Sequence, residues 1–80
     1  MLTFLSYRPC SARFYRVDVT YNLFGEYSVI REWGRTGGKG RHMVACFGNL
    51  RDALRAADRW HKHAFRRGYR MVLREQTLLQ

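Results

Sequence analysis

A tryptophan, a glycine and an arginine stand together at residues 33–35, and a loop rich in glycine and positive charge follows them. Within residues 37–40 every position but Lys39 is glycine, and Arg41 comes next. Glycine lets another surface approach the main chain closely. An indole beside guanidinium groups is a combination that stacks on sugars or bases while neutralising phosphate. These residue types predict a nucleic-acid contact that the rest of the chain holds in place.

The composition of the chain supports this interpretation. Its 80 residues include 15 lysines and arginines against 6 acidic residues, which gives a net charge of +9 and a pI near 10.6. Most of the cations are arginine, which is suited to bidentate phosphate contacts and to stacking on flat partners. A pI above about 9 with clustered arginine is typical of nucleic-acid-binding domains. The alternative is a generic basic surface, or one that binds an acidic protein.

Other functional classes find little support in the sequence. No stretch approaches the roughly 20 apolar residues of a membrane span, and residues 1–5 are a poor signal peptide, so we expect a cytoplasmic protein. Cys10 and Cys46 lack metal-site spacing, although a disulfide between them stays open. The histidines show no helical i, i+4 pairing, and the glycine loop lacks the ending of a P-loop. We predict no catalytic residue, no cofactor and no metal, and therefore not an enzyme.

Alternating apolar and polar residues predict a sheet. The expected strands are residues 2–8, 13–21, 26–33 and 41–47. Between the second and third strands, residues 22–25 read as a turn from which Leu23 or Phe24 folds back over the core. Arg31 and Trp33 share one face of the third strand, near the end where the chain emerges. A tryptophan on a strand is more often a core residue, so both orientations of Trp33 stay open.

One amphipathic helix is predicted over residues 50–67. Asn49 is a favoured N-cap residue, and Gly68 stands where a left-handed C-cap belongs. The expected apolar stripe consists of Leu50, Ala53, Leu54, Ala57, Trp60, Ala64 and Phe65. Residues 69–73 are apolar enough to return as an edge strand or an extended tail.

The order of these features resembles the WGR domain family. Trp33-Gly34-Arg35 follows a strand, a glycine turn follows the motif, and the helix ends in Arg66-Arg67-Gly68-Tyr69. The resemblance covers about residues 13–72 and includes Arg13-Phe14-Tyr15 at the start of the preceding strand. It implies an α+β fold in which a small antiparallel sheet of about four strands packs against a single helix. It also implies nucleic-acid binding.

WGR domains occur in DNA-damage-responsive poly(ADP-ribose) polymerases and as short bacterial proteins, and the resemblance favours a bacterial protein here. In the polymerases the domain helps to recognise a DNA end or break. The resemblance implies that Trp33 packs against sugar-phosphate at such a break. It gives Arg35 a part in relaying the binding event, a role that loses its basis here because these residues include no polymerase catalytic domain.

The sequence divides into an N-terminal segment 1–12 that can add a strand, a WGR-like domain 13–73 and a C-terminal tail 74–80. If the end of the helix lies beside the glycine loop, two basic clusters form one surface. The residues predicted to bind nucleic acid are then Arg31, Trp33, Gly34, Arg35, Gly38, Lys39, Arg41, Arg66, Arg67, Tyr69 and Arg70. For the charged members, solvated side chains without a ligand are the alternative.

The predicted function is DNA binding through phosphate and sugar contacts with aromatic stacking, and the resemblance adds recognition of DNA ends or breaks. We expect a cytoplasmic location, with the nucleoid if the protein is bacterial, and no membrane partner. Two alternatives stay open. One is an RNA-binding domain, and the other is a protein-interaction module that docks an acidic partner or a separately encoded enzyme. The oligomeric state is not predicted.

Overall fold

A computed structural model describes residues 2–76 of the chain and shows five strands and one helix in that range. The elements are β1 (Leu2–Arg8), β2 (Arg13–Tyr21), β3 (Tyr27–Arg35), β4 (Arg41–Phe47), α1 (Leu50–Arg66) and β5 (Arg70–Gln76). The strands form one antiparallel sheet in the order β4-β3-β2-β1-β5, and α1 packs against one of its faces. The α+β prediction is confirmed, and β1 and β5 extend the sheet beyond residues 13–73. The end of the predicted tail, residues 77–80, lies outside the described residues.

Period-two alternation on the inner strands supplies the core beneath α1. Val17 and Val19 of β2 are at most 1% exposed, and Val29, which pairs with Val19, is equally buried. Because side chains alternate between the two faces, Tyr15 and Trp33 lie on this same face, farther towards one end of the sheet. The strands that carry these residues therefore pass from the core into the predicted site without a break.

Alanines bring α1 close to the sheet. Ala53, Ala56, Ala57 and Ala64 are buried, and their small side chains leave little space between helix and strands. The predicted apolar stripe was too wide: Leu50 and Leu54 are 38% exposed and Phe65 is 54% exposed. These larger side chains lie at the margins because the alanine row occupies the contact line.

Both helix ends follow the sequence prediction. The Asn49 side chain accepts a hydrogen bond from the Asp52 N–H at 2.9 Å. At the other end Gly68 has φ +94°, and the N–H groups of Gly68 and Tyr69 donate to the carbonyls of Phe65 and Ala64 at 3.0 and 3.1 Å. This is the Schellman arrangement, which turns the chain out of the helix and into β5. Among the described residues, no helix is both long enough and apolar enough to cross a membrane.

The β2–β3 turn corrects one prediction. The Asn22 side chain accepts hydrogen bonds from the N–H groups of Phe24 and Glu26 at 2.9 and 3.0 Å. This closes the turn and directs the apolar side chains outwards, so that Leu23 is 100% exposed and Phe24 is 87% exposed. The expectation that one of them folds back over the core was therefore wrong.

Gly34 and Gly40 allow β3 and β4 to close on each other beside the loop. A Cβ atom added at Gly34 would lie 2.9 Å from the Gly40 Cα, and one added at Gly40 would lie 3.0 Å from the Trp33 carbonyl oxygen. The first distance is too short for any side chain, and the second would require the neighbouring backbone to shift. Gly34 of the motif therefore allows the β3–β4 hairpin to close, and the hairpin sets the position of Trp33 at the end of β3.

We predict that Gly34→Ala lowers the free energy of unfolding by about 1–3 kcal/mol, because the new methyl group must displace the Gly40 backbone. Urea denaturation followed by circular dichroism measures this change. Gly48→Ala is the matched control, since a Cβ there meets nothing within 4 Å, and it should lie within about 0.5 kcal/mol of the wild type. Equal stability of the two variants would show that the close approach has no energetic role.

Candidate nucleic-acid interface

Trp33 lies near the end of β3 and has both a packed and an open side. It is half-buried against the core, and its ring centroid lies 6.2 Å from that of Tyr15 with an angle of 20° between the planes. The same side chain borders two neighbouring cavities. Trp33 therefore contributes to the core and to an accessible surface together.

The first cavity, here called the loop groove, has a volume of about 460 Å³. It is lined by Arg13, Trp33, Gly34, Arg35, Gly38, Lys39 and Arg41. Its loop is shaped by Gly37 at φ +83° and by a hydrogen bond from the Gly38 N–H to the Arg35 carbonyl at 3.0 Å. That geometry is the one a type II turn requires. Six of the predicted residues are brought together here, with Arg13 as an addition.

The second cavity, here called the arginine pocket, has a volume of about 370 Å³. It is lined by Arg8, Arg13, Tyr15, Arg31, Trp33, His63, Arg67 and Tyr69. Arg13 and Trp33 belong to both cavities, so the loop groove and the arginine pocket share a wall. The end of α1 and the glycine loop thus adjoin one continuous basic surface. Tyr69 is only 6% exposed and packs edge-on against Tyr15, so only its margin reaches the pocket.

Two predicted residues line neither cavity. Arg66 is exposed on the last turn of α1. The Arg70 guanidinium donates hydrogen bonds to the carbonyls of Phe65 and Tyr69 at 3.3 and 3.1 Å, and it lies 4.4 Å over the Phe65 ring. Both side chains therefore lie outside the two cavities, and Arg70 reinforces the end of the helix.

Four lining residues were missed by the sequence analysis: Arg8, Arg13, Tyr15 and His63. Arg8 pairs with Arg13 across β1 and β2, and Arg13 pairs with Arg35 across β2 and β3. Alternation along β2 could have placed Arg13 on the same face as Tyr15. The predicted strand bounds, 2–8 and 13–21, could have placed Arg8 opposite Arg13 if the two strands had been joined as a hairpin.

Arg31 is a cation on the core-facing side of β3. Its guanidinium lies 3.4 Å over the Trp60 ring and 5.4 Å from the Trp33 ring, and its Nη2 donates to the Met43 sulfur at 3.0 Å. A guanidinium over an aromatic face gains cation–π attraction without a carboxylate partner. Trp60 of α1 thereby holds a positive charge at the edge of the arginine pocket.

The acidic residues of residues 2–76 line neither cavity. On the open face of the sheet Arg16 lies 3.0 Å from Asp18 and 4.0 Å from Glu32, and on the helix Lys62 lies 2.9 Å from Asp58. Within residues 2–76 these are the only ion pairs, and no carboxylate lines either cavity. The guanidinium groups of the two cavities are therefore available to an anionic ligand.

The remaining chemistry-bearing residues do not form a second centre in the described part of the chain. Cys10 and Cys46 are both free and exposed. Residues 2–76 contain no group of three or more His, Cys, Asp or Glu side chains that could hold a metal ion.

Comparison with known proteins gives a similar sequence and a similar fold. The uncharacterized protein y4dW of Sinorhizobium fredii is 42% identical over 59 residues, which cover 74% of this chain and 29% of that protein. A crystal structure of a protein from Bacteroides fragilis has the same fold, with a TM-score of 0.70 and 24% identity over 91% of this chain and 20% of that one. The chain thus spans less than a third of the length of each.

The profile that describes the WGR domain matches residues 1–76 and so includes β1 and β5 as well as the motif. Members of this family are generally nucleic-acid-binding domains rather than catalytic ones. All three residues of the motif line the loop groove, and its tryptophan also lines the arginine pocket. The chain belongs to the WGR domain family.

Proposed function

We propose that this protein binds DNA through phosphate and sugar contacts and through stacking on Trp33. The observation that carries this proposal is the wall of Arg13 and Trp33 shared by two cavities that no described carboxylate lines. A cationic surface of this kind attracts the phosphate backbone without reading its sequence. An aromatic face beside the cations adds an attraction that is tolerant of sequence, because every base has a π-face.

In this proposal the loop groove follows the backbone. Arg35, Lys39 and Arg41 neutralise phosphates, and Gly38, which has no side chain, lets a strand approach the main chain of the loop. Arg67 and Arg31 extend the positive surface past Trp33 towards the end of α1. Arg66 and Arg70, which line neither cavity, are expected to contribute only long-range attraction.

We further propose a preference for DNA ends, nicks or gaps. Trp33 is half-buried at the meeting point of two concave surfaces, so only part of its ring is accessible. In a continuous duplex the bases are stacked inside and the sugars are held in a regular backbone. An interrupted strand frees a terminal sugar or base to reach such a recessed ring. The likeness to WGR domains of the polymerases points the same way.

A protein with this role belongs in the cytoplasm, with the nucleoid if its source is bacterial. RNA offers the same phosphate chemistry, and a separately encoded acidic protein could dock on the same surface. Matched RNA that displaces DNA at equal concentration would favour the first alternative. A protein partner that stays bound after nuclease treatment would favour the second.

We predict that affinity for DNA falls steeply with salt. If Arg13, Arg35, Lys39 and Arg41 each neutralise one phosphate, the slope of log K against log salt should be about −3 to −4. Fluorescence anisotropy with nicked, blunt-ended, single-stranded and end-blocked DNA measures both the slope and the preference. Tighter binding to nicked or blunt-ended DNA than to end-blocked DNA is the expected order. Salt-independent binding, or none at low ionic strength, would contradict the proposal.

We predict that the double variant Lys39→Gln with Arg41→Gln reduces the steepness of this slope by about 2. The matched control is Arg51→Gln with Arg55→Gln, which removes the same charge from the exposed surface near the start of α1. The control should keep nearly the full slope, because those side chains lie outside both cavities. Equal losses in the two variants would mean that binding depends on net charge alone.

We predict that Trp33→Ala weakens DNA binding by about 1–3 kcal/mol, the usual loss for one stacked base. Because Trp33 also packs on Tyr15, the variant should be less stable, and binding must be measured below its unfolding temperature. Tyr27→Ala is the control: Tyr27 is half-buried on the same face of β3, at its other end. It should lose stability and keep its affinity. If Trp33→Ala binds as the wild type does, the stacking role is wrong.

A further inference from the structure

The Tyr15 hydroxyl is a feature of the arginine pocket that backbone binding leaves unexplained. Tyr15 is 8% exposed, and its hydroxyl oxygen is buried without a hydrogen-bond partner in residues 2–76. Buried polar groups without partners are rare in folded proteins, because losing water without gaining a hydrogen bond is unfavourable. Tyr15 lines the pocket, and a ligand whose binding shifts the side chains over the hydroxyl can supply the missing partner.

Positive charge converges on the same cavity. Its four arginines come from separate elements of the fold: Arg8, Arg13, Arg31 and Arg67. None of them lies within 4.0 Å of a carboxylate in the described part of the chain. Four like charges around about 370 Å³ repel one another, and an anion placed between them relieves that repulsion.

Several of these side chains are held in position by the protein. Arg31 is stacked at 3.4 Å over Trp60. Arg8 lies against the end of the helix, where a Cβ atom added at Gly68 would be 3.6 Å from its Nε. Tyr69 packs edge-on against Tyr15, with 5.7 Å between the ring centroids. A pocket whose donors are already oriented loses less conformational entropy when a ligand binds.

Size and charge together indicate the class of ligand. The volume lies near the lower end of the roughly 300–1,000 Å³ found for small-molecule sites. A nucleic-acid strand brings only one negative charge per phosphodiester, spaced about 3.4 Å along the helix axis. One such group would leave most of the guanidinium charge uncompensated. Several phosphoryl groups joined directly to one another bring three or four charges and many acceptor oxygens into the same space.

We propose that the arginine pocket binds a compact oligophosphate, in which two or more phosphoryl groups are joined by anhydride bonds. The Tyr15 hydroxyl donates to one phosphoryl oxygen, and the arginines bind the others as bidentate forks. The ligand is either an inorganic chain or the di- or triphosphate group of a nucleotide. This site goes beyond the proposed binding of DNA and does not depend on it.

Isothermal titration calorimetry at about 0.15 M salt, where diffuse attraction is screened, tests the proposal. Tripolyphosphate should bind once per chain, pyrophosphate more weakly, and orthophosphate and sulfate roughly tenfold or more below tripolyphosphate. Titrations with ATP and ADP separate the two sources. If ATP binds more tightly than tripolyphosphate, and ADP more tightly than pyrophosphate, the ligand is a nucleotide. If each pair binds equally, the ligand is the phosphate chain itself. No saturable binding, or orthophosphate as tight as tripolyphosphate, would overturn the assignment.

Tyr15→Phe is the sharpest variant, because it removes one oxygen and keeps the ring. The affinity for tripolyphosphate should fall roughly tenfold or more. The Tm should stay the same or rise, since a buried unpaired hydroxyl is lost. Tyr7→Phe, on the opposite face of the sheet, is the control and should change neither quantity. If Tyr15→Phe binds tripolyphosphate as tightly as the wild type does, the hydroxyl has no part in the site and the proposal is wrong.

Charge variants separate this site from the loop groove. Arg67→Gln should weaken tripolyphosphate binding, whereas Arg51→Gln, with the same loss of charge, should not. The double variant Lys39→Gln with Arg41→Gln should keep its tripolyphosphate affinity to within about twofold. These two charges lie outside the arginine pocket, and salt screens their effect on it. Failure of the wild type to bind DNA, with tripolyphosphate binding intact, would end the DNA proposal and leave this one standing. An equal effect of Arg51→Gln and Arg67→Gln would refute a built pocket.

Discussion

The point at which α1 ends determines the shape of the functional surface. Gly68 takes a positive φ that few other residues adopt, and the helix stops there and gives way to β5. Upstream of this point the helix covers Val17 and Val29 completely. Beyond it, near the ends of β2 and β3, Tyr15 is buried and Trp33 is half-buried. The residues on either side of Gly68, Arg67 and Tyr69, line the arginine pocket, so the cavity depends on where the helix ends.

Charge is distributed over the two faces of the sheet in an unequal way. The face away from the helix carries Asp18 and Glu32, and both lie near Arg16. The helix-facing end of the sheet carries unpaired guanidinium groups above an apolar core. Fields from such charges are screened less next to low-dielectric protein than in open water. The cations that line the two cavities therefore add a localised attraction for anions to the diffuse one of the net charge of +9.

Trp33 packs against the core on one side and lines the cavities on the other, and its packed side holds the ring in place. Tyr15 stands behind its ring, and Tyr69 stands edge-on behind Tyr15. Aromatic rings fixed by neighbours in this way lose little entropy when a ligand stacks on them. Because Arg13 and Trp33 line both cavities, an anion in the arginine pocket would lie beside any strand in the loop groove. Repulsion between the two ligands follows from that proximity.

Local patterns in the sequence determined much of this protein. Period-two alternation located β2 and β4, and capping residues located both ends of α1, because these signals depend on near neighbours along the chain. The motif and the excess of arginine indicated a nucleic-acid-binding domain and most of the loop groove. Only the tertiary structure decided that Arg31 and Arg67 line one pocket, that Tyr15 keeps a hydroxyl without a partner, and that Arg66 and Arg70 line neither cavity. Those outcomes depend on strand register and on how far the helix extends over the sheet, which are set by contacts between residues distant in sequence.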